Sequence, residues 1–454
     1  MGKFCRYPSS SSLTRHTTHT SFYQIMAVKT RERIIVVGAG VFGASTALAF
    51  QYSNTYKDYD IVVVDRDPHA DPASASHDLS KIVRSDYAIP VHIEMARAAM
   101  DMWLKDPFFK EFFHRVGMYR CQPDDFNQQS LQAYKQLGYP TKSRWITVDE
   151  LRKQTPVFAN ADFGTSDKVM YNPDFGYVDA AAALEATRRE AFNHPRVDLV
   201  VGDVQNLTFD ESGHCTGVNV LLQDGTTQEL RGKVVLCTGA RTATLLEKSA
   251  PERKELHAGE RLKATGAISF TVRIDGELKE RFDAGPVPVW KNRVNEVMGE
   301  LVSYKDGLLK FNRDGCWTLE KEREILVPTD ANLTRWVDDI DQNDIKKLCR
   351  ETLVGLCGKE LESCEIEEYR FCWDSYTPNH DFFIGEHPRC DNLYFATGGS
   401  FHGWKFLPVI GKKVVAMLEG KLSEQEKQMW AWDRTNPDAA NTTYHVNGAL
   451  EEMQ

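Results

Sequence analysis

The chain has 454 residues, a formal net charge of −10, 42% hydrophobic and 26% charged residues. That is ordinary globular composition, with room for two or three domains or one large interleaved one. It excludes a basic, aromatic-laced nucleic-acid surface, a membrane-spanning apolar run and, with ten scattered cysteines lacking CxxC or paired zinc spacing, a disulfide scaffold or zinc module.

Residues 1–31 contain Lys3, Arg6, Arg15, Lys29 and Arg31 but, up to Lys29, no Asp or Glu, and they are rich in Ser, Thr and His. Mitochondrial transit peptides share this acid-poor, hydroxyl-rich composition. No convincing amphipathic helix emerges, however, and residues 1–32 read as an extension ahead of the fold, with Met26 as a usual first residue. No secretory apolar core is present, and the C-terminus, Glu451-Glu452-Met453-Gln454, is not a peroxisomal tripeptide. The expected compartment is cytoplasmic, with peroxisomal or mitochondrial location as the alternative.

Four apolar residues, Ile34 to Val37, run into Gly38-Ala39-Gly40-Val41-Phe42-Gly43, followed by a helix of small residues. Strand, glycine turn and helix form the phosphate-binding start of a βαβ unit. Gly38 allows the tight turn, Gly40 lets a diphosphate approach, and Gly43 lets the helix pack on the strand. The helix N-terminus directs free N–H groups at the anion. A second apolar strand over 60–64 ends in Asp65, about 20 residues on, where an acid that accepts ribose hydroxyls belongs. The motif predicts a dinucleotide and leaves FAD and NAD open.

A loop of small and polar residues follows over 68–81. Ile93, Ala96, Met100 and Trp103 then mark a helix over 90–105. A strand is expected over 116–121, a short helix over 149–154, and another helix beginning near Asp179 and running to about 193. Residues 198–201, 213–222 and 226–230 read as strands. Residues 233–240 repeat the strand-to-glycine pattern, ending Cys237-Thr238-Gly239. From 262 the period changes to alternation, through Ile268, Phe270, Val272 and Ile274, which indicates antiparallel strands. More strands follow over 287–290, 297–304 and 308–312. Leu333, Trp336, Ile340, Ile345 and Leu348 predict a helix over 329–349. A buried strand over 393–396, closed by Thr397-Gly398-Gly399, and a core helix over 408–418 complete the pattern.

Three segments then resemble one family. Cys372-Trp373-Asp374-Ser375-Tyr376-Thr377-Pro378-Asn379-His380-Asp381-Phe382-Phe383-Ile384-Gly385 is similar to the flavin-attachment segment of the monomeric sarcosine oxidase family, which includes fructosyl amino acid oxidases (amadoriases) and pipecolate and saccharopine oxidases. Thr397-Gly398-Gly399-Ser400-Phe401-His402-Gly403-Trp404-Lys405-Phe406 and Ser76-His77-Asp78-Leu79-Ser80-Lys81-Ile82-Val83-Arg84 resemble the same family, in its order. The resemblance decides FAD over NAD. It implies an α/β fold: a Rossmann-type FAD-binding domain (33–110, 171–245 and 385–422) with an inserted α+β substrate domain on an antiparallel sheet (111–170 and 246–384), and a polar tail over 423–454.

The likeness implies a thioether between Cys372 and the flavin 8α-methyl, a bond suited to a soft thiolate nucleophile. It assigns Lys310 to oxygen activation beside the flavin, with Lys263 as a rival by position. Cofactor contacts are implied for Gly38, Gly40, Val41, Phe42, Gly43, Asp65, Arg66, Ser76, His77, Lys81, Ile82, Val204, Gly399, Phe401, His402, Gly403 and Lys405. Lys405 and Arg84 match positions that hold the substrate carboxylate. His77 and His402 also read as structural residues of glycine-bounded turns. Sarcosine oxidases carry a histidine four residues after the catalytic lysine, whereas this chain has Asp314; amadoriases place a carboxylate there, and the resemblance implies that Asp314 binds a cationic or hydroxyl-rich substrate. The expected protein is a monomer that oxidises a secondary amine of an N-substituted or cyclic amino acid and reduces O2 to hydrogen peroxide. Its alternatives are an amadoriase, and a flavin dehydrogenase or secondary-metabolite tailoring oxidase. No side-chain base is obvious.

Overall fold

The structure is a computed structural model that describes residues 31–434, save 73, 123, 296, 319, 322–323 and 326–341, together with 446–449. The extension over 1–30 therefore lies outside the described residues. Among the described residues no helix is long and apolar enough to cross a membrane.

An eight-stranded sheet carries the first motif. Its parallel centre runs Val197–Phe209, Asp60–Asp65, Arg33–Val37, Lys233–Leu236, Leu393–Thr397. Antiparallel strands Cys215–Leu222 and Thr227–Arg231 extend one edge, and Phe383–Glu386 the other. The four central strands read as apolar runs because helices or loops cover both faces. Parallel pairing has one consequence that matters for the site. The turns after Val37, Leu236 and Thr397 all leave from the same edge, so three glycine turns far apart in sequence converge at the strands' carboxyl ends.

Helix Val41–Phe50 sits almost wholly buried on this sheet. A Cβ on Gly43 would stand 1.8 Å from the Gly38 carbonyl oxygen, so the helix can approach the strand only with glycine there. Gly38 itself has φ +93°, the left-handed region that glycine adopts freely.

The second large sheet is mainly antiparallel, in the order Ile366–Tyr376, Lys263–Arg273, Leu308–Thr318, Gly299–Lys305, Val289–Asn292, Met118–Cys121, Lys168–Asn172, Arg144–Thr147. Its own apolar core gathers Phe270, Trp290, Leu309, Phe311 and Leu353. Between the sheets, Ser80–Val83 pairs with Gly176–Asp179, which also pairs with Phe113–His114.

Three expectations need correction. Residues 176–179 form a strand, and the helix occupies Ala180–Phe192; the local pattern could not reveal a partner strand a hundred residues earlier. The helix placed over 329–349 is observed at Gln342–Cys357. Its apolar stripe continues through Leu353 and Leu356, and it stops at Gly358, φ +99°; Leu333, Trp336 and Ile340 lie outside the described residues. The polar tail opens with helix Glu424–Trp430, started by a Ser423–Glu426 capping box, and Trp430 and Trp432 are buried.

Candidate active site

At the glycine turn two backbone N–H groups meet side chains. Ala39 N–H donates to Asp65 Oδ2 (2.5 Å) and Val41 N–H to Ser76 Oγ (3.1 Å). The hydroxyl of Ser76 lies so near Gly40 that a Cβ there would be 2.6 Å from it. Ser76 thus hangs over the turn, and its carbonyl accepts a hydrogen bond from Trp404 Nε1 (2.7 Å). Arg188, buried beneath, donates to the carbonyls of Ala39 and Asp67, both at 2.9 Å. Arg66 pairs with Asp71. Val204 is half-buried just past the parallel part of its strand. Phe42, in the first turn of the helix, meets Phe382 edge-on at 5.6 Å. The edge offers a helix N-terminus and glycine backbone to a dinucleotide diphosphate, and on the next strand an acid that can accept from ribose hydroxyls.

One cavity lies beyond it. Lys81, Ile82, Arg84, Cys372, Phe401, His402 and Lys405 all line it, which brings together residues predicted from three separate segments. Lys310 lies directly behind this wall, 1% exposed. Its Nζ donates to Asn312 Oδ1 (2.7 Å), Asp78 Oδ2 (3.2 Å) and the Ser80 carbonyl (3.2 Å). Burial lowers the pKa of this ammonium, and the Asp78 charge opposes that fall. Lys263, the rival, pairs with exposed Glu260 at 2.6 Å and is one-third exposed itself.

Asp78 was not singled out from the sequence, yet it gathers the cluster. Its Oδ2 faces Lys81 (2.7 Å), Lys310 (3.2 Å) and Arg370 (3.6 Å), and stands 3.9 Å from Cys372 Sγ. Burial pushes its pKa up, but the three cations hold it well below the usual carboxylate range. Arg370, also missed, donates from Nη1 to Cys372 Sγ at 2.9 Å. His77 is half-buried beside these groups; burial, then Arg370, lowers its pKa.

Across the cavity a second buried carboxylate, Asp86, takes Arg84 (2.9 Å) and Arg120 (2.5 Å). Lys405 has no carboxylate partner. Its Nζ donates to Tyr87 Oη (2.8 Å) and the His402 carbonyl (2.7 Å). Burial, reinforced by Arg84, lowers its pKa well below that of an ordinary lysine. The His402 ring is occupied at both nitrogens, by Tyr87 Oη (3.1 Å) and the His380 carbonyl (2.7 Å), and burial lowers its pKa strongly.

The loop carrying Gly399 to Lys405 is strained. Ser400 and Phe401 have φ +44° and +60°, a conformation that non-glycine residues keep only where the surroundings fix it. Asp374 does so, accepting from the N–H groups of Ser375 and Phe401 at 2.8 Å each. A Cβ on Gly399 would stand 2.9 Å from the Asp374 carboxylate, and one on Gly403 would stand 3.0 Å from Gly399 Cα.

Asp314 differs from expectation. Its side chain is 0% exposed and faces Lys291 (3.2 Å) and Arg293 (3.0 Å). It is not among the residues lining the cavity; Lys291 and Glu300 are. Glu300 in turn accepts from Lys291 (2.5 Å) and Asn312 (2.9 Å). Four residues along a strand is about 13 Å, which carries Asp314 past the cavity on the same face as Lys310. The Asp78 contacts with Lys310 and Cys372, by contrast, join residues more than 200 positions apart, and no local period could reveal them.

A model of the family described as FAD dependent oxidoreductase matches residues 33–417. L-saccharopine oxidase of Schizosaccharomyces pombe is 24% identical, over 88% of this chain and 92% of that protein. The amino acid oxidase fsqB of Aspergillus fumigatus is 27% identical, over 85% and 91%. Among solved structures, a modified fructosyl peptide oxidase from Aspergillus nidulans superposes with a TM-score of 0.77 at 24% identity, covering 93% of this chain and 98% of that one.

Asp78 faces three cations, Lys81, Lys310 and Arg370, of which Lys310 is fully buried. Asp78→Asn should lower stability by about 3–5 kcal/mol, the usual cost of leaving buried charges without their partner. Urea unfolding at neutral pH checks this, and an unchanged midpoint would show that the cations are satisfied without it.

Proposed function

The chain belongs to the family of FAD dependent oxidoreductases, and on that premise we propose that it oxidises the secondary amine C–N bond of an N-substituted or cyclic amino acid, saccharopine-like or pipecolate-like, with O2 as acceptor. One observation carries the reading: Cys372, Lys81, Arg84 and Lys405 line a single cavity, with Lys310 behind its wall. A cavity this rich in cations suits a substrate that brings carboxylate.

The residues fit FAD. The Gly38–Gly43 turn, with Val41 and Phe42 at the helix start, would take the diphosphate, and Asp65 the ribose. Arg66 and Val204 lie beyond Asp65. Ser76, His77, Lys81, Ile82, Gly399, Phe401, His402, Gly403 and Lys405 would surround the ring, and Cys372 would be its covalent attachment point. Bound there, FAD would supply the two-electron redox chemistry between the amine and O2, with hydrogen peroxide and an imine as the products.

The side chains do the positioning. Arg84, fixed by Asp86, and Lys405, steered by Tyr87 and the His402 carbonyl, would grip the substrate carboxylate. Lys310, kept in place by Asp78, Ser80 and Asn312, would hold its positive charge against the negative charge that develops on oxygen. No side chain is needed as a base if the amine binds unprotonated.

A second reading, oxidative deglycation of fructosyl amino acids, is favoured by Glu300, a carboxylate on the cavity wall. The enclosure of Asp314 by Lys291 and Arg293 weighs against it. A peroxide-release screen of the purified yellow protein against saccharopine, pipecolate, sarcosine and fructosyl amino acids decides. Peroxide with the first two supports the main reading, peroxide only with fructosyl compounds the second, and flavin reduction without peroxide a dehydrogenase.

Lys310→Met should leave anaerobic flavin reduction by substrate little changed and slow reoxidation about a hundredfold, the effect of losing one electrostatic contact of roughly 3 kcal/mol. Lys263→Met should change neither half-reaction. Stopped-flow reoxidation at the wild-type rate in Lys310→Met would remove Lys310 from the oxygen step.

Lys405 also predicts a pH dependence. A carboxylate binds the protonated ammonium, so its affinity falls as pH rises through the Lys405 pKa. Since burial lowers that pKa, the fall should come well below the range of an ordinary lysine. The inhibition constant of a simple carboxylic acid lacking an amine should then rise up to tenfold per pH unit. Lys405→Met should bind it weakly and without that slope; an unchanged slope would place the carboxylate elsewhere.

A further inference from the structure

Arg370 has no task in the reaction proposed above, yet it is one of the most completely engaged side chains near the cavity. It lies two residues before Cys372 on strand Ile366–Tyr376, so both side chains stand on one face. One arm of its guanidinium, Nη1, donates to Cys372 Sγ at 2.9 Å. The other, Nη2, reaches three carbonyls of one loop: Pro72 (2.9 Å), Ser74 (2.8 Å) and His77 (2.6 Å). Asp78 Oδ2, at the end of that loop, is 3.6 Å away, and the side chain is only 13% exposed.

The same loop touches the glycine turn. Ser76 takes the Val41 N–H at its hydroxyl and the Trp404 indole at its carbonyl. Ala75 N–H donates to the carbonyl of Trp373, the neighbour of Cys372, at 3.3 Å. One short loop therefore joins the diphosphate end of the site to the sulfur, and Arg370 is its clasp. A planar fork with donors on two arms can grip sulfur and loop together; a lysine, with a single nitrogen, cannot span both.

We infer that Arg370 is a positioning residue for covalent flavin attachment: by tying the 72–77 loop to the sulfur it keeps Cys372 aimed at the cofactor, and it governs how fast the bond forms, not how much flavin is bound. The inference rests on the reading of Cys372 as attachment point. In that reaction the sulfur supplies the electron pair of one new carbon–sulfur bond to the flavin 8α-methyl carbon. The thiol proton and one methyl proton leave, and the two electrons released pass with them to O2 as hydrogen peroxide, so the flavin ends oxidised and linked.

The test measures, in purified holoenzyme, the fraction of flavin that stays with the acid-precipitated protein against total flavin by absorbance. Wild type should retain nearly all of it and Cys372→Ala nearly none. Arg370→Met should bind a full complement of flavin but link it at least tenfold more slowly during aerobic incubation, with Arg370→Lys in between. Arg370→Met linking at the wild-type rate, or purifying without flavin, would overturn the inference. If Arg370→Met is insoluble, Arg370→Lys decides by the same criterion. A colourless wild-type pellet is a different result: it removes Cys372 as the attachment point, and the role of Arg370 with it.

Discussion

The rest of the site depends on one buried carboxylate. Asp78 stands where the cofactor-side loop meets the second sheet, and it is the shared partner of Lys81, Lys310 and Arg370. Those cations come from three pieces of chain: the strand after the loop, the centre of the antiparallel sheet, and its edge. Each ammonium or guanidinium would be costly to bury alone. Around one carboxylate they become tolerable, and the sulfur of Cys372 is brought in beside them. The two sheets thus meet over a charge cluster, and its geometry, more than any single contact, sets where a ring-shaped ligand and its reactive edge can lie.

The charges elsewhere on the wall follow the same logic, with one exception. Asp86 answers Arg84 and Arg120; Glu300 and Asp314 answer Lys291, and Arg293 adds a further cation to Asp314. Lys405 has no carboxylate within ion-pair distance among the described residues and donates to a phenol and a carbonyl. Burial therefore weakens its hold on a proton, and a bound carboxylate would restore it. The loop that presents Lys405 keeps two left-handed residues, Ser400 and Phe401, in place through Asp374. Backbone strain and an uncompensated amine at the same spot are what a ligand-binding element looks like before its ligand contributes its own charge.

Much of this was legible in the sequence. The glycine turn, the acid at Asp65 and the apolar parallel strands announce themselves because they are local: a strand period, a turn and a helix start lie within about 30 residues. The convergence of Gly38, Gly239 and Gly399 also follows, since parallel strands must end on one edge. Cys372, Lys310 and Lys405 were legible through segment likeness, which places residues without explaining them. Asp78 and Arg370 were not, although both lie in or beside quoted segments, because a role defined by a partner some 300 positions away leaves no local periodicity. Asp314 was singled out by likeness alone, and its partners Lys291 and Arg293 left no local signal.

Once the pairs are counted, the wall has a chemical preference. Asp78 and Asp86 hold their own cations, and Glu300 is engaged by Lys291 and Asn312, so none of these carboxylates is left over for a cationic ligand. Arg84 keeps donors beyond its contact with Asp86, and Lys405 keeps a proton beyond its two acceptors. The residual capacity of the cavity is therefore for anions. A hydroxyl-rich ligand could use only the acceptor capacity that Glu300 has left beside Lys291 and Asn312. A ligand bearing carboxylate adds the acceptor that Lys405 lacks. On that balance the wall would favour a ligand that brings a free acid group over one that brings only hydroxyls.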